Sequence, residues 1–366
     1  MVKIPNIVHY RGNEALVEIG FQGNSTDKTN VAAAVTPTVT LRYLQNLSIS
    51  PNENVRSLKP INSGNGRNRT QEIKGNHSCT ANMSFWIPKD LDQATPMEIW
   101  LLKMGIDGTD SKVEGTPDTY TVPDSTDEYG DDYLKVMTIE AGYNKSGNVT
   151  AHRLTGAIVN QFTFHAEEDQ EVLITLGMNV LLAEKITAFA SGSLTESTQQ
   201  PFRWGDVEIQ YGDENAIAAF ENMTMVEFNV GNNVRAYMDL SASSSATARR
   251  YPRAWIQGRR DISGSFRLNL TTDTDNGQDL WEDLYNDSSG TATPTAGVVE
   301  KDLRITLYQD ATYYIRFYLH DVVLGEMSED LVGEDIPSLT IPFTATACVL
   351  TFTTLATSAS PTGWVE

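Results

Sequence analysis

The side chains able to do chemistry are few and scattered in this chain. Its five histidines, His9, His77, His152, His165 and His320, lie far apart, so no two share a helix face at a metal-binding spacing. There is no Gly-x-Ser-x-Gly elbow and no Walker loop to cradle phosphate. "GNGRNR" (Gly64 to Arg69) holds two glycines of a phosphate-binding fingerprint but lacks the third, and reads as an exposed polar loop. Two acidic runs, Glu167, Glu168, Asp169 and Glu329, Asp330, Glu334, Asp335, offer oxygens to calcium, but their spacing fits no calcium loop and solvated turns are the simpler account. Cys79 and Cys348 are too few for a disulfide framework or a four-cysteine zinc site, and read as two buried thiols. Trp86, Trp204, Trp255 and Trp281 offer a sugar-stacking set, although on strands and a helix such rings more often anchor cores or interfaces. No catalytic cluster can be assembled, so the expectation is a protein that is not an enzyme and uses no cofactor.

Composition narrows the partners. The 366 residues are 40% apolar and 20% charged, with a net charge of -21 and a pI near 4.6. Such a chain folds, spans two to three domains of roughly 100–200 residues, and repels nucleic-acid backbones and acidic membranes. No apolar stretch reaches signal-peptide length at the start, and none approaches the ~20 residues of a membrane span. No membrane partner is expected.

The elements that must position any site are strands. "SCTANMSFWI" (Ser78 to Ile87) sets Cys79, Ala81, Met83, Phe85 and Ile87 against Ser78, Thr80, Asn82 and Ser84, the period-two pattern of a half-buried strand. "EVLITLGMNV" (Glu171 to Val180), "ISGSFRLNLT" (Ile262 to Thr271) and "SLTIPFTATA" (Ser338 to Ala347) alternate in the same way. Helical patterns are short, the best being Thr95 to Gly105 around Trp100 and Asn276 to Asp287 around Trp281.

These segments recur in order. Asn54-Val55-Arg56, a polar loop, Gly75, an alternating strand, a helix around Trp100, a strand through "LTGAIVNQFTFHA", an acidic turn and a further strand form one series. Asn233-Val234-Arg235, a polar loop, Gly258 and their successors around Trp281 and "YYIRFYLHDVVL" form the other. The offset is 179 residues at the triplets, 183 at the glycines and 181 at the tryptophans, so length differences fall in loops. The expected organisation is therefore two related modules, at 1–190 and 200–366, with 191–199 as linker. Each triplet would end a strand, with Asn bending the chain, Val in the core and Arg outward.

Four segments carry a family resemblance. "GAIVNQFTFHAEEDQEVLITLGM" (Gly156 to Met178), "QPFRWGDVEIQYGDENAIAAFENMTMVEFNVGNNVRAYM" (Gln200 to Met238), "GRRDISGSFRLNL" (Gly258 to Leu270) and "GFQGNSTDKTNVAAAVTPTVTLRYLQNLSIS" resemble the major tail tube proteins of long-tailed bacterial and archaeal viruses. The last segment lacks the Tyr-Gly usual within that lead. The resemblance implies an all-β fold with a short helix per module, each module a sandwich or barrel lending strands to a shared ring barrel. It also implies a virion protein made in the host cytoplasm. Its expected partners are copies of itself in trimeric, pseudo-hexameric rings stacked into a tube, tape measure protein and viral DNA in the lumen, and terminator and baseplate proteins at the ends. Other tail parts of the same module, a terminator or baseplate ring, remain open, as does a carbohydrate-binding β-sandwich.

Geometry is compatible with that implication. About four strands per module from six modules, spaced ~4.8 Å and tilted ~40°, make a wall roughly 150 Å around and a bore near 38 Å once side chains are added. DNA of ~20 Å would pass. Ser78, Thr80, Asn82, Ser84, Thr175, Asn179, Ser263, Ser265, Asn269, Thr340 and Thr344 are then the expected lumen-facing residues, small and neutral; the competing reading is the solvated face of an ordinary sandwich. Loops 57–74 and 236–257 are the expected ring-to-ring contacts, with Arg56, Arg235, Arg249, Arg250, Arg253, Arg259 and Arg260 meeting Glu167, Glu168, Asp169, Glu329 and Asp330.

Overall fold

The structure, a computed structural model, describes residues 15–24, 34–37, 39–41, 43–52, 55–58, 71–74, 77–92, 97–106, 111–122, 134–145, 148–189, 200–214, 217–220, 223–238, 252–269, 300–325, 328–330 and 338–355. The first half runs β1 (Ala15–Asn24), β2 (Val39–Thr40), β3 (Leu44–Asn52), β4 (Val55–Leu58), β5 (Gln71–Lys74), β6 (Ser78–Trp86), α1 (Met97–Ile106), β7 (Ser111–Val113), β8 (Asp118–Val122), β9 (Lys135–Lys145), β10 (Asn148–Glu167), β11 (Leu173–Val180) and β12 (Leu182–Ile186). The second runs β13 (Val207–Gly212), β14 (Ala218–Ala219), β15 (Met223–Gly231), β16 (Arg235–Tyr237), β17 (Ala254–Ile256), β18 (Asp261–Asn269), β19 (Lys301–Tyr308), β20 (Tyr314–Leu324), β21 (Ser328–Asp330), β22 (Ser338–Ala345) and β23 (Ala347–Thr354). The fold is all-β in class, with α1 the only α-helix among the described residues. Thr95, Pro96, the linker residues and the segment around Trp281 lie outside them.

Pairing repeats from one half to the other. β1 pairs with β2 and β9, as β13 pairs with β14 and β19. β3 pairs with β6 across a bulge at Leu44/Asn46, as β15 pairs with β18 across a bulge at Met223/Met225. The first part of β10 pairs with β9 and β12 and its last part with β11; β20 does the same with β19, β23 and β22. Single bonds recur too. Leu41 N–H to Val17 O is matched by Phe220 N–H to Ile209 O, and Leu181 N–H to Thr155 O by Thr346 N–H to His320 O.

The two long strands change sheets at equivalent kinks. Gly156 has φ 63° and Asp321 φ 49°, beside register shifts against β9 and β19. Glycine adopts that left-handed region freely, and aspartate is among the side chains that tolerate it. A bulge bends the strand there, so β10 and β20 leave an outer sheet and enter an inner one.

The inner sheet crosses both halves in the order β3, β6, β11, β10, β15, β18, β22, then the end of β20 with β21. The joint is β10 to β15, paired from Gln161↔Gly231 to Glu167↔Met225. Behind it Phe162 and Phe164 from β10, Phe228 from β15 and Phe317 from β20 form one aromatic cluster, with centroids 5.1–6.0 Å apart. A second tie crosses the outer layer, where β8 of the first half pairs with β23 of the second. There Tyr120 stacks on Phe352 at 4.9 Å and Trp100 of α1 meets both rings edge-on. The halves thus share one hydrophobic core.

The alternating strands fall as their patterns predict. Cys79, Ala81, Met83 and Phe85 are buried, as are Ile174, Leu176, Met178 and Val180. Cys79 and Cys348 are both buried free thiols, and burial pushes the Cys79 thiol up to about 11. The polar loops after the triplets contain structure that polarity hid, since β4 pairs with β5 and β16 with β17 as two-stranded ribbons.

Because Phe228 is fully buried and touches all three other rings of the cluster, Phe228→Ala should lower unfolding free energy by about 3–5 kcal/mol. The check is urea unfolding followed by near-UV circular dichroism; a loss under 1 kcal/mol would mean the cluster does not hold the halves together.

Candidate functional site

The candidate site is a surface. All eleven small polar residues expected to line a bore, Ser78, Thr80, Asn82, Ser84, Thr175, Asn179, Ser263, Ser265, Asn269, Thr340 and Thr344, alternate with buried residues and share one face of the inner sheet. Register carries that face across the joint. One row reads Asn46, Ser84, Thr175, Thr163, Asn229, Ser263, Thr344 and Val323, one residue per strand. Its hydroxyls and amides bond sideways, Ser84 with Thr175 at 2.9 Å and Thr163 to Asn229 at 2.5 Å, which holds small polar groups in fixed rotamers.

Asn46, Ser48, Ser50, Gln161, Thr163 and Asn229 belong to the same face and escaped sequence reading. Extending the alternation of "NQFTFHA" through Gln161, Thr163 and His165 would have found three positions on β10.

Charge on this face is sparse and mostly paired. In β3, β6, β10, β11, β15, β18 and β22 the face carries Glu167, Glu227 and Asp261 against Arg267, with His165 between. Arg267 Nη2 donates to Glu167 Oε1 at 2.7 Å, and its Nε donates to Thr224 Oγ1 at 3.1 Å. His165 Nδ1 lies 3.0 Å from Glu227 Oε2 and Nε2 lies 3.6 Å from Glu167 Oε2. The hydrogen bond from Arg267 is the main reason the Glu167 carboxyl sits below the ordinary carboxylate range.

Glu167, expected at a contact between rings, makes this pair on the polar face at the end of β10. Arg260 is similarly engaged, donating to Asn232 Oδ1 at 3.2 Å. Glu168 and Asp169 form an exposed turn, Asp169 with φ 63°. Arg235 and Arg259 are exposed and Arg253 is half-buried. Arg56, Glu329 and Asp330 lie on described strands, while Arg249 and Arg250 lie outside the described residues. Glu167 thus meets Arg267, which is outside the expected basic set, and none of the contacts described above joins a residue of the basic set to one of the acidic set.

The second triplet is a structural knot at one end of the face. Asn233 has φ 49°, and its side-chain amide donates to Arg259 O at 2.7 Å and Asp261 Oδ2 at 2.8 Å. A Cβ on Gly258 would come within 2.7 Å of Asn233 O, so the ribbon can close only over glycine. Buried Asn232 donates to Gly105 O and Val159 O, and Val234 N–H donates to Asn160 Oδ1 at 2.7 Å. Trp255, on the ribbon, packs with Val234 against Leu134, Val136, Ile158 and Leu181 of the first half and donates from Nε1 to Gly156 O at 3.0 Å. On the ribbon's other side Tyr237 and Ile256 are 40% and 50% exposed.

The inner sheet has two unpaired edges among the described residues. The outer edge of β3 has no strand beyond it, nor has the outer edge of β20–β21. In the outer layer β12 likewise lacks the flanking strand that β8 gives β23. The described residues contain no metal-binding group of three side chains and no helix long and apolar enough to cross a membrane. Of the tryptophans offered as a sugar-stacking set, Trp255 is buried, Trp86 and Trp204 are half-buried, and Trp281 lies outside the described residues. No family model matches the chain, and no curated protein matches it.

The Glu167–Arg267 pair has a pH signature. A depressed carboxyl stabilises the fold above its ordinary value of 4.5 and loses that contribution as pH falls through the lowered one. Both side chains are about a third exposed, so the coupling in a double-mutant cycle of Glu167→Gln and Arg267→Met should be about 1 kcal/mol or less at pH 7. It should fade as the pH falls through the lowered carboxyl value and be gone once Glu167 is protonated; a coupling that persists in strong acid would contradict the ion-pair account.

Proposed function

We propose that this chain is a structural subunit of a viral tail, three copies of which close a ring whose inner sheets join into one barrel. Stacked rings would then form the hollow tube through which DNA reaches the host. The observation that carries this reading is the β10–β15 joint, where one half docks its inner strand on the matching edge strand of the next half and keeps a single polar face running through. A step that adds one half to another can be repeated, and repetition of a rotation either closes a ring or winds a filament. Six halves with four inner strands each give a bore of roughly 40 Å.

The chemistry of the face suits passage of DNA. Lysine and arginine slow a nucleic acid by pairing with phosphates and releasing counterions. On this face Arg267 is already committed to Glu167 and His165 lies between two glutamates, and most of the remaining surface is hydroxyl, amide or acidic. A polyanion would slide past without being bound. The exposed ribbon face with Arg235, Tyr237 and Ile256 lies at one end of the inner sheet, a suitable place for one ring to meet the next.

Electron microscopy of the purified chain at rising concentration should show hollow tubes. Single rings under all conditions would favour a terminator or baseplate ring built the same way, and monodisperse globules would remove the reading altogether. Deleting residues 241–250 should leave rings that do not stack; normal tubes from that variant would take the ribbon out of the ring-to-ring contact.

A bore variant supplies an independent check. Ser263→Lys with Thr344→Lys puts cations in adjacent positions of one row. Assembled tubes of this variant should retain double-stranded DNA in a salt-dependent way, whereas the parent tubes should not. Equal retention by both would place the polar face away from the lumen.

A further inference from the structure

The joint inside the chain is a template for a joint between chains. The pairing of β10 with β11 and β12 recurs 165 residues later in β20–β21 with β22 and β23, as Thr155↔Leu182 and Thr163↔Thr175 become His320↔Ala347 and Ser328↔Thr340. The pairing of β15 with β18 recurs 179 residues earlier along β3, with the bulge in the same place. Both partners of the internal joint therefore have a counterpart on an edge that is unpaired among the described residues.

Applying these two shifts to Thr163↔Asn229, Phe164↔Phe228 and His165↔Glu227 yields a register for the open edges. We infer that β20–β21 of one copy pairs with β3 of a second copy as Ser328↔Ser50, Glu329↔Ile49 and Asp330↔Ser48, and that Glu329 keeps this seam weaker than the internal one. The inference rests on the assembly reading above and adds to it the residues that meet and the reason the edges stay open in a single chain.

Burial points to the occupant. Val226 and Phe228 of β15 are 0% exposed because β10 covers them, whereas their counterparts Leu47 and Ile49 on β3 are half-buried and pack on the core from one side only. A strand of the same kind as β10 would complete their burial. Pro51 and the polar residues around it blunt the edge meanwhile, as Pro and short polar side chains do on exposed edge strands.

The internal and external seams differ most at one position. Phe164 stacks on Phe228 at 5.3 Å in the core, and Glu329 takes the place of Phe164, in register with fully buried Leu339. When a strand docks over the register position that Phe164 fills in the internal joint, a carboxylate standing there must be stripped of water, which costs free energy unless it protonates or finds a partner. An apolar residue there would gain from the same step.

Cross-linking tests the register and the assembly threshold tests the weakness. Ser50→Cys with Ser328→Cys recreates a pair whose counterparts Thr163 and Asn229 touch through their side chains, and the buried native thiols compete poorly. Mild oxidation should give covalent dimers and trimers, with nothing larger. Glu329→Phe should lower the protein concentration at which assembly begins by roughly tenfold or more, and Glu329→Gln should move it the same way by a smaller step. Assembly that cross-links through Ser50→Cys with Asp330→Cys and not through Ser328→Cys would overturn the register while leaving the function standing. A threshold unmoved or raised in both Glu329 variants would overturn the guarding role. Absence of any assembly in the parent chain by light scattering and microscopy would overturn the function and this inference together.

Discussion

Everything in this molecule depends on one edge being paired. β15 has strands on both sides only because β10 overshoots its own half and lies against it. A strand edge in an apolar setting must give each of its N–H and C=O groups a partner, and an edge left unpaired costs about as much as the hydrogen bonds it forgoes. The overshoot explains the 20-residue length of β10, the kink at Gly156 that turns it from the outer sheet into the inner one, and the position of the four phenylalanines behind the joint. It also explains why the two halves cannot be separated cleanly, since each would expose a long edge and part of a shared aromatic core.

That constraint sets the chemistry of the polar face. Strand register allows a side chain to change faces only at a bulge, so a continuous sheet across both halves enforces a continuous face. Hydroxyls and amides at successive register positions then satisfy one another sideways, as Ser84 with Thr175 and Thr163 with Asn229 do. Charged groups that enter the face are mostly engaged by neighbours, Arg267 by Glu167, with His165 lying between Glu227 and Glu167. A surface that satisfies itself offers few groups to a passing ligand. In this respect the face differs from a binding groove, whose polar groups await a partner.

Much of this was legible in the alternation of single strands. Ser78 to Trp86 and Leu173 to Val180 declare their buried and polar faces letter by letter, because a half-buried strand has only two environments. The repeated order of segments likewise points to repeated pairing. What the letters could not convey was which strand lies beside which. β8 joins the second half's outer sheet, and nothing in "DTYTV" names β23 as its neighbour. The polar stretches after the triplets read as loops, since ribbons held by Trp255 and a glycine have too few apolar residues to show a period. Glu167 read as a solvated turn residue because its partner Arg267 is 100 positions away. Asn232 and Asn160 carry no signal in the letters, although their amides tie one half to the other. Long-range pairing is the information that local pattern lacks.

Placing two halves on one chain lets their joints diverge. The internal joint is intramolecular, so it forms at high effective concentration as the chain folds and need never reopen. It can commit fully buried groups such as Phe164, Phe228 and Trp255, whose exposure in a free subunit would invite aggregation. A joint made by encounter faces the opposite demand, because its surfaces must remain in water until a partner arrives. At the corresponding positions the chain carries Glu329, Ile49 and Glu72. Backbone pairing repeats between the halves, while the rings of Phe164 and Trp255 give way to the carboxyl-bearing Glu329 and Glu72. The two triplets repeat Asn, Val and Arg, and Val55 and Arg235 open the two ribbons. On this argument the bulk at each ribbon and edge should follow whether its partner is on the same chain, and the register of the sheet should not.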